Sequence, residues 1–402
     1  MINGYLASFL LALLVTSTIV TSSDHLDAEI RWHLKRLNKP ALTSIKSPDG
    51  DIIDCVPITK QPALDHPLLK NHSIQMRPSS RPKGTSTGNK DPLNNKKEPK
   101  AITQLWHLNG KCPENTVPIR RTRKEDFQRA TDIENYGKKS QNSIPKPQSG
   151  SSTIGHEHAV MYSYGDYYGT KAWINLWKPL VEKPNEFSLA QLWVVAGSGS
   201  DINTIEVGWQ VYPRFYGDNN PRLFIYWTSD GYQRTGCYNH LCSGFVQTNN
   251  DIAIGGSFRV ASNYKDAQYV IILLVWKDPT SGNWWLDING KDIGYWPASL
   301  FTHLSDKARL IEWGGEIVDD RSRGQHTYTQ MGSGHFAEEG FGKSSFIMHI
   351  ETVDGSNTYR EPGTLGVISA YQNCYNVKYG DGDSSMGTHF YFGGPGRNPN
   401  CP

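Results

Sequence analysis

No Cys-x-x-Cys pair occurs anywhere in the 402 residues, and His156-Glu157-His158 lacks the spacing of a zinc-protease helix, so neither a metal nor any other cofactor is expected. There is no Gly-x-Ser-x-Gly elbow, which removes one serine-hydrolase architecture. Gly340-Phe341-Gly342-Lys343-Ser344 has Ala337 where a phosphate loop requires glycine. Beyond residue 20 no segment is apolar enough to cross a bilayer. Cysteine is scarce: only Cys55, Cys112, Cys237, Cys242, Cys374 and Cys401 occur. An even set of six argues against a free catalytic thiol and for three disulfides. Sequence proximity and the domain boundary favour Cys55 with Cys112, Cys237 with Cys242, and Cys374 with Cys401.

What is present begins with an apolar run at residues 6–20, too short to span comfortably and followed by Thr21, Ser22 and Ser23. It reads as a signal peptide over 1–23 even though the first five residues carry no basic charge. The chain is therefore expected to be secreted, to extracellular fluid, cell wall or vacuole, with no membrane association once the signal is removed. Asn71, in Asn71-His72-Ser73, is a candidate glycosylation acceptor.

The overall charge of +2 hides a division. Residues 77–146 hold 16 Lys and Arg against 7 Asp and Glu, a balance of +9; residues 147–402 hold 18 against 25, a balance of −7. Residues 78–100, rich in Pro, Asn and Lys, cannot bury enough apolar surface to fold alone and read as a flexible linker or exposed arm. A basic prosegment complementing an acidic catalytic domain suits a secreted chain better than nucleic-acid binding. A monomer with no nucleic-acid partner is expected.

Residues 27–37 place apolar groups at 30, 34 and 37, as in a short amphipathic helix. Residues 38–67 are interrupted by five prolines, so little regular structure is expected there. Residues 103–118 offer an apolar stretch that can dock on the main domain. From about His156 the pattern changes to short Val-, Ile-, Tyr-, Trp- and Phe-rich runs at 159–164, 172–176, 191–196, 223–228, 269–276 and 345–353, separated by turn residues. This predicts an all-β domain, an antiparallel β-sandwich of two packed sheets, preceded by a mostly irregular propeptide. A short helix is expected at 300–307. The division is 1–23 signal peptide, 24–147 prosegment with its basic linker, and 148–402 β-sandwich domain.

Two glutamate-bearing runs stand out, Thr204-Ile205-Glu206-Val207-Gly208-Trp209-Gln210 and Ile311-Glu312-Trp313-Gly314-Gly315-Glu316-Ile317-Val318. Strand parity puts Ile205, Val207, Trp209 and Val211 on one face and Thr204, Glu206, Gly208 and Gln210 on the other. Glu206 therefore points away from the core. Glu312, Gly314 and Glu316 share a face unless the glycine pair forms a bulge. A charge in an aromatic β-run is costly without a partner or a task.

The sequence resembles the neprosin family of plant glutamic peptidases, made as a signal peptide, an activation peptide and a β-sandwich catalytic domain. The likeness rests on Asp54-Cys55-Val56, Lys60-Gln61-Pro62-Ala63, Asp65-His66-Pro67-Leu68-Leu69 and Pro118-Ile119-Arg120-Arg121 in the first part. In the second it rests on the run from Asn203 to Val211, Tyr226-Trp227-Thr228-Ser229-Asp230, Gly236-Cys237-Tyr238-Asn239, Trp284-Trp285, Gly294-Tyr295-Trp296-Pro297, Glu312-Trp313-Gly314-Gly315-Glu316 and Gln330-Met331-Gly332-Ser333-Gly334-His335-Phe336. The resemblance implies that Glu206 and Glu316 are the catalytic pair, with Glu312 the local rival for the second role. It also implies cleavage after proline in polypeptide substrates, with the chain's own propeptide as intramolecular inhibitor.

The chemistry asks for two carboxyls, one to take a proton from water and one to protonate or hydrogen-bond the peptide carbonyl. Gln210 and Gln330 are candidate supporting donors, and Tyr226, Trp227 and Trp284 candidate walls for substrate. A two-carboxylate glycosidase and a non-catalytic carbohydrate- or cell-wall-binding sandwich are the rival readings. Acid neutralises carboxylates but not Lys or Arg, so the attraction between prosegment and remainder weakens on acidification. Processing is expected between Arg129 and Ser152, near Pro145 or Pro147. N-terminal sequencing of acid-treated protein tests this, and a mature start beyond Val160 contradicts it.

Overall fold

The computed structural model describes residues 25–84, 103–130, 132–139, 155–320, 324–380, 382 and 384–402. The expected signal peptide, most of the basic linker and Pro145 and Pro147 lie outside the described residues. Strands are numbered along the chain. A six-stranded sheet runs in the order β16 (Gly366–Ser369), β4 (His156–Tyr167), β13 (Ala308–Val318), β6 (Ser188–Ala196), β7 (Asn203–Val211) and β8 (Arg222–Thr228). The facing sheet runs β17 (Asn376–Tyr379), β18 (Phe390–Gly393), β14 (Ser345–Val353), β5 (Gly169–Asn175), β10 (Val270–Lys277), β11 (Trp284–Ile288), β12 (Lys291–Trp296) and β9 (Val246–Gln247), with β15 (Tyr359–Arg360) beside β14. Both are antiparallel, and each strand run read from the sequence falls within one of these strands or overlaps it.

Alternation explains how the layers meet. Ile205, Val207, Trp209 and Val211 join Leu273, Val275, Trp276 and Trp285 in the main core between the sheets, as β7 parity requires. The opposite face of the six-stranded sheet carries its own cluster, including Leu189, Trp193, Phe224, Tyr226 and Tyr238. Strands buried on both faces need continuous rather than alternating apolarity, and all nine residues of β6 are buried.

The prosegment is more ordered than its prolines imply. β1 (Thr43–Lys46), β2 (Ile52–Pro57) and β3 (Thr116–Arg120) form a three-stranded antiparallel sheet, because Pro48 falls in the β1–β2 turn and Pro57 at the end of β2, where no ladder donor is lost. The predicted helix is present over 25–37, packing Ile30 and Leu37 on Phe127 of a second helix, Lys124–Arg129. Residues 78–84 are not a free arm: Arg81 lies 2.5 Å from both Asp287 and Asp292, and Lys83 and Tyr359 exchange backbone contacts with their neighbours across the gap. The helix expected at 300–307 is instead a 3-10 turn over Ala298–Leu300 followed by bends. The Asn203 side-chain oxygen accepts from the His303 and Leu304 amides and diverts those donors from a helical ladder. All three disulfides have the pairing read from the sequence.

Prosegment and sandwich are joined by buried polar contacts. Arg222 of β8 meets Asp51 at 2.5 Å and Asp49 at 3.4 Å. The Gln61 amide donates to the Gln247 carbonyl and accepts from the Gln247 backbone N–H. Gln104 makes the same two-way contact with Ala253. The buried charge contact at Arg222 therefore runs opposite to the bulk charge division, with prosegment acid meeting sandwich base.

Gly314 shows how tightly the site-bearing strand is held. Its φ is +154°, and a Cβ there would stand 2.3 Å from the Ala159 carbonyl oxygen of β4. Gly314→Ala should lower unfolding stability by roughly 1–3 kcal/mol or more, the usual cost of overpacking. Urea melts of the precursor check this, and an unchanged midpoint contradicts it.

Candidate functional site

Register fixes where the glutamates stand. Glu206 on β7 is opposite Trp193 of β6 and Tyr226 of β8, and Trp193 in turn is opposite Glu312 of β13. Two residues along, Gly208, Gln191, Gly314 and Val160 form the next row; two further, Gln210, Leu189, Glu316 and His158 form the third. Pairing across Gly314-Gly315 is continuous on both sides, so no bulge re-aims either glutamate. All three carboxyls thus share the face that is turned away from the main core.

Glu206 is fully buried and surrounded by donors. Lys139 Nζ is 2.5 Å from its Oε2, where Gln191 Nε2 also donates at 3.2 Å. On Oε1 it accepts from Tyr232 Oη at 2.5 Å and from Thr204 Oγ1 at 3.1 Å. Burial first, and then the Glu206 charge, push the Tyr232 hydroxyl well above its ordinary range, which keeps it a donor.

Glu316 has different company. His156 Nδ1 lies 2.6 Å from its Oε1, and His158 Nε2 lies 3.7 Å away. Burial, the largest single influence, works to raise this carboxyl, but the His156 hydrogen bond and the charges of His158, Lys139 and His156 together outweigh it. The carboxyl is held below its usual range. His158 is pushed down to about 4, by burial first. Glu312 is the opposite case: neither of its oxygens has a hydrogen-bond partner among the described residues. Burial, then the charges of Glu206 and Glu316, push it well above the carboxylate range, so it is held neutral.

Only part of the expected site assembles here. Tyr226 and Gln210 share the glutamate face; Tyr226 Oη accepts the Lys139 backbone N–H at 3.0 Å, and the Gln210 amide donates to Tyr216 Oη at 2.9 Å. Trp227 has the other parity, opposite Ile205 in the main core, so it is not a wall of this face. Trp284 lies in the second sheet and donates to the Leu304 carbonyl. Gln330 is tied to Leu180 by a two-way contact, which holds it beside Trp177–Val181 instead. Asn71 is exposed. Sequence reasoning missed Lys139, Gln191, Tyr232, His156 and His158. Gln191 was open to the parity argument used for Glu206, whereas Lys139 and Tyr232 reach the site from loops, where no periodicity applies.

Residues 44–162 match the Neprosin activation peptide and residues 184–395 match Neprosin. The chain belongs to the neprosin family. Its organisation, an activation peptide ahead of the neprosin domain, is that of a peptidase zymogen. Among solved structures, the chain is similar to scytalido-glutamic peptidase with a peptide-based transition state analog, at 13% identity, 60% of this chain, 97% of that one and a TM-score of 0.32. It is also similar to CG-16, a homodimeric agglutinin from chicken liver, at 10% identity, 39% and 92% coverage and a TM-score of 0.21. A third is the β-porphyranase BpGH16B from the human gut bacterium Bacteroides plebeius, at 9%, 40% and 56% coverage and 0.20. Likenesses this distant carry no argument about chemistry.

Proposed function

We propose that the protein is the precursor of an acid-acting glutamic endopeptidase that cuts on the carboxyl side of proline, with Glu206 and Glu316 activating water. The observation that carries this reading is that both glutamates lie on one sheet face under a single ammonium group, Lys139. That lysine is bonded to Glu206, and its charge also bears on Glu316. When the prosegment leaves, all three carboxyls and the Gln191 amide remain on that face.

Two carboxyls that share one water do not ionise independently, so a singly protonated pair is populated in acid. The ionised member takes a proton from water as oxygen attacks the peptide carbon; the protonated member gives its proton to the carbonyl oxygen. Collapse of the tetrahedral species expels the amine with a returned proton. Which glutamate begins as base is open to either assignment. Gln191 and Tyr232, which donate to Glu206, are the candidate donors to the developing oxyanion. The neutral Glu312 offers a third proton donor on the same face, which makes it the local rival to Glu316.

A non-catalytic carbohydrate-binding role loses its main support, because all ten tryptophans after His156 are buried. Binding of that kind uses exposed aromatic faces.

Glu206→Gln and Glu316→Gln should each lower peptide turnover by at least about 10²-fold, the lower end of the cost of losing a positioned acid or base. Glu312→Gln should be much milder, with all three variants keeping the wild-type fold by circular dichroism. Loss confined to the Glu206 and Glu312 variants would transfer the second role to Glu312. Polysaccharide rather than peptide turnover would establish the glycosidase reading.

Specificity has its own test. Proline presents a ring and no amide proton, so a pocket for it needs an apolar or aromatic wall and no matching acceptor. Phe224, Tyr226 and Tyr238 supply aromatic surface beside Glu206. Digestion of an unfolded protein mixture at about pH 3 to 5, where one of two coupled carboxyls remains protonated, should enrich proline immediately before the cuts. Cuts with no such enrichment overturn the specificity and leave the pair intact.

A further inference from the structure

The two glutamates are balanced by cations of different origin. The ammonium at Glu206 belongs to the prosegment, whereas both imidazoles at Glu316 come from β4, the first strand of the sandwich. Processing is expected between Arg129 and Ser152, upstream of His156. Glu206 then loses its cation with the prosegment, and Glu316 keeps its histidines.

Strand geometry explains how the imidazoles arrive. Register sets His158 opposite Glu316 and His156 opposite Val318, so alternation in His156-Glu157-His158 puts both rings on the glutamate face and Glu157 on the other. The rings are stacked, with centroids 6.5 Å apart and planes 17° from parallel. Phe187 packs edge-on to His156 at 5.9 Å, and Trp193 lies 6.4 Å from His158. Aromatic neighbours of this kind favour particular ring orientations. The two oxygens of Glu316 are consequently unlike. Oε1 has His156 Nδ1 at 2.6 Å, with His158 Nε2 at 3.7 Å, beyond hydrogen-bond length. Oε2 is buried and has no hydrogen-bond partner among the described residues. One oxygen is held, and the other is left to accept.

We propose that His156 is a positioning residue for the reaction: from the first strand of the sandwich it holds Glu316 as a carboxylate in acid, with Oε2 turned to the water that attacks. The effect on activity rests on the peptidase reading above; the hold on Glu316 does not. An ordinary imidazole takes its proton at a higher pH than an ordinary carboxylate, so acid charges the histidine before it neutralises the glutamate. His158 is the weaker partner, since burial pushes it down to about 4. The titratable groups facing Glu316 are His156 and His158 on β4, Glu312 on its own strand, Tyr238 after β8 and, in the precursor, Lys139, with Glu206 across the same face. Burial first holds Glu312 and Tyr238 neutral. Once Lys139 has gone, the histidines are the cationic groups left in this set. Glu316 then starts as the base, and Glu206, without its ammonium, starts protonated.

The test is the pH profile of kcat/KM for acid-processed protein with His156, His156→Phe or His156→Asn. His156→Phe should raise the acid limb by about one pH unit or more, the lower end of what an opposite charge at short range supplies, with the alkaline limb in place. His156→Asn, which keeps a donor without the charge, should move it part of the way. A uniform loss of rate with both limbs in place overturns the proposal, as does a larger shift from His158→Gln. A second measurement does not depend on turnover. Carboxyl-carbon NMR titration of the full-length precursor carrying Glu206→Gln, with the Glu316 signal assigned by its loss on Glu316→Gln, should show Glu316 titrating at higher pH when His156→Phe is added. An unchanged titration overturns the hold. If acid-processed wild type hydrolyses no peptide, the peptidase reading fails while the titration still decides the hold.

Discussion

A carboxylate without water around it must find its charge balance in the protein, and Glu206 draws on four donors from four places in the chain. Thr204 comes from its own strand, Gln191 from the neighbouring strand, Tyr232 from the loop after β8, and Lys139 from the prosegment. An unpaired buried charge would cost several kcal/mol. The three donors native to the sandwich are neutral. The only countercharge bonded to Glu206 among the described residues belongs to a part of the chain that processing is expected to remove.

That arrangement explains why so much of the outer sheet face is dry. The aromatic cluster of Phe215, Phe224, Tyr226 and Tyr238 would be a large exposed patch without the prosegment packed against it. Elsewhere the prosegment is held by contacts of another kind, a three-stranded sheet of its own and the two-way amide pairs at Gln61 and Gln104. Those contacts join neutral groups, whereas the contacts at Lys139, Arg222 and Arg81 each pair a cation with a carboxylate. The attachment thus combines neutral amide pairs with charge contacts, one of which stands directly over the glutamates.

Much of this could be read from the residues themselves. Period-two alternation in 204–211 placed Glu206 opposite the core, because sheet geometry leaves two directions only. The three cystine pairs followed from proximity, and the strand runs from β-branched and aromatic composition. The errors have identifiable physical causes. Trp227 and Trp284 looked like cleft walls, but aromatic size favours the core, and Trp227 pairs with Ile205 on the core side of the sheet. The prolines of 38–67 were read as breaks although two of them fall where a strand needs no donor. The helix at 300–307 lost its amides to Asn203, nearly a hundred residues earlier, a long-range contact that local patterning does not contain. Lys139 is one of a pair of adjacent lysines in a polar stretch, and nothing local marks it apart from Lys138.

Three carboxyls on one face would repel one another if all were ionised, and the surroundings separate them instead. Glu206 has an ammonium, Glu316 has His156 and a depressed proton affinity, and Glu312 has no hydrogen-bond partner among the described residues and a raised one. The sign of their effect on stability differs accordingly. Glu316 favours the folded precursor above the ordinary carboxylate range, and that contribution is lost as pH falls through its depressed value. Glu312 favours folding in its neutral form, fully below the ordinary range, and progressively less as pH rises toward its elevated value. Acidification therefore removes a stabilising charge at one end of the face while relieving a burial cost at the other. The sandwich beneath keeps its packing through this exchange because its core contacts between β7 and the second sheet are apolar.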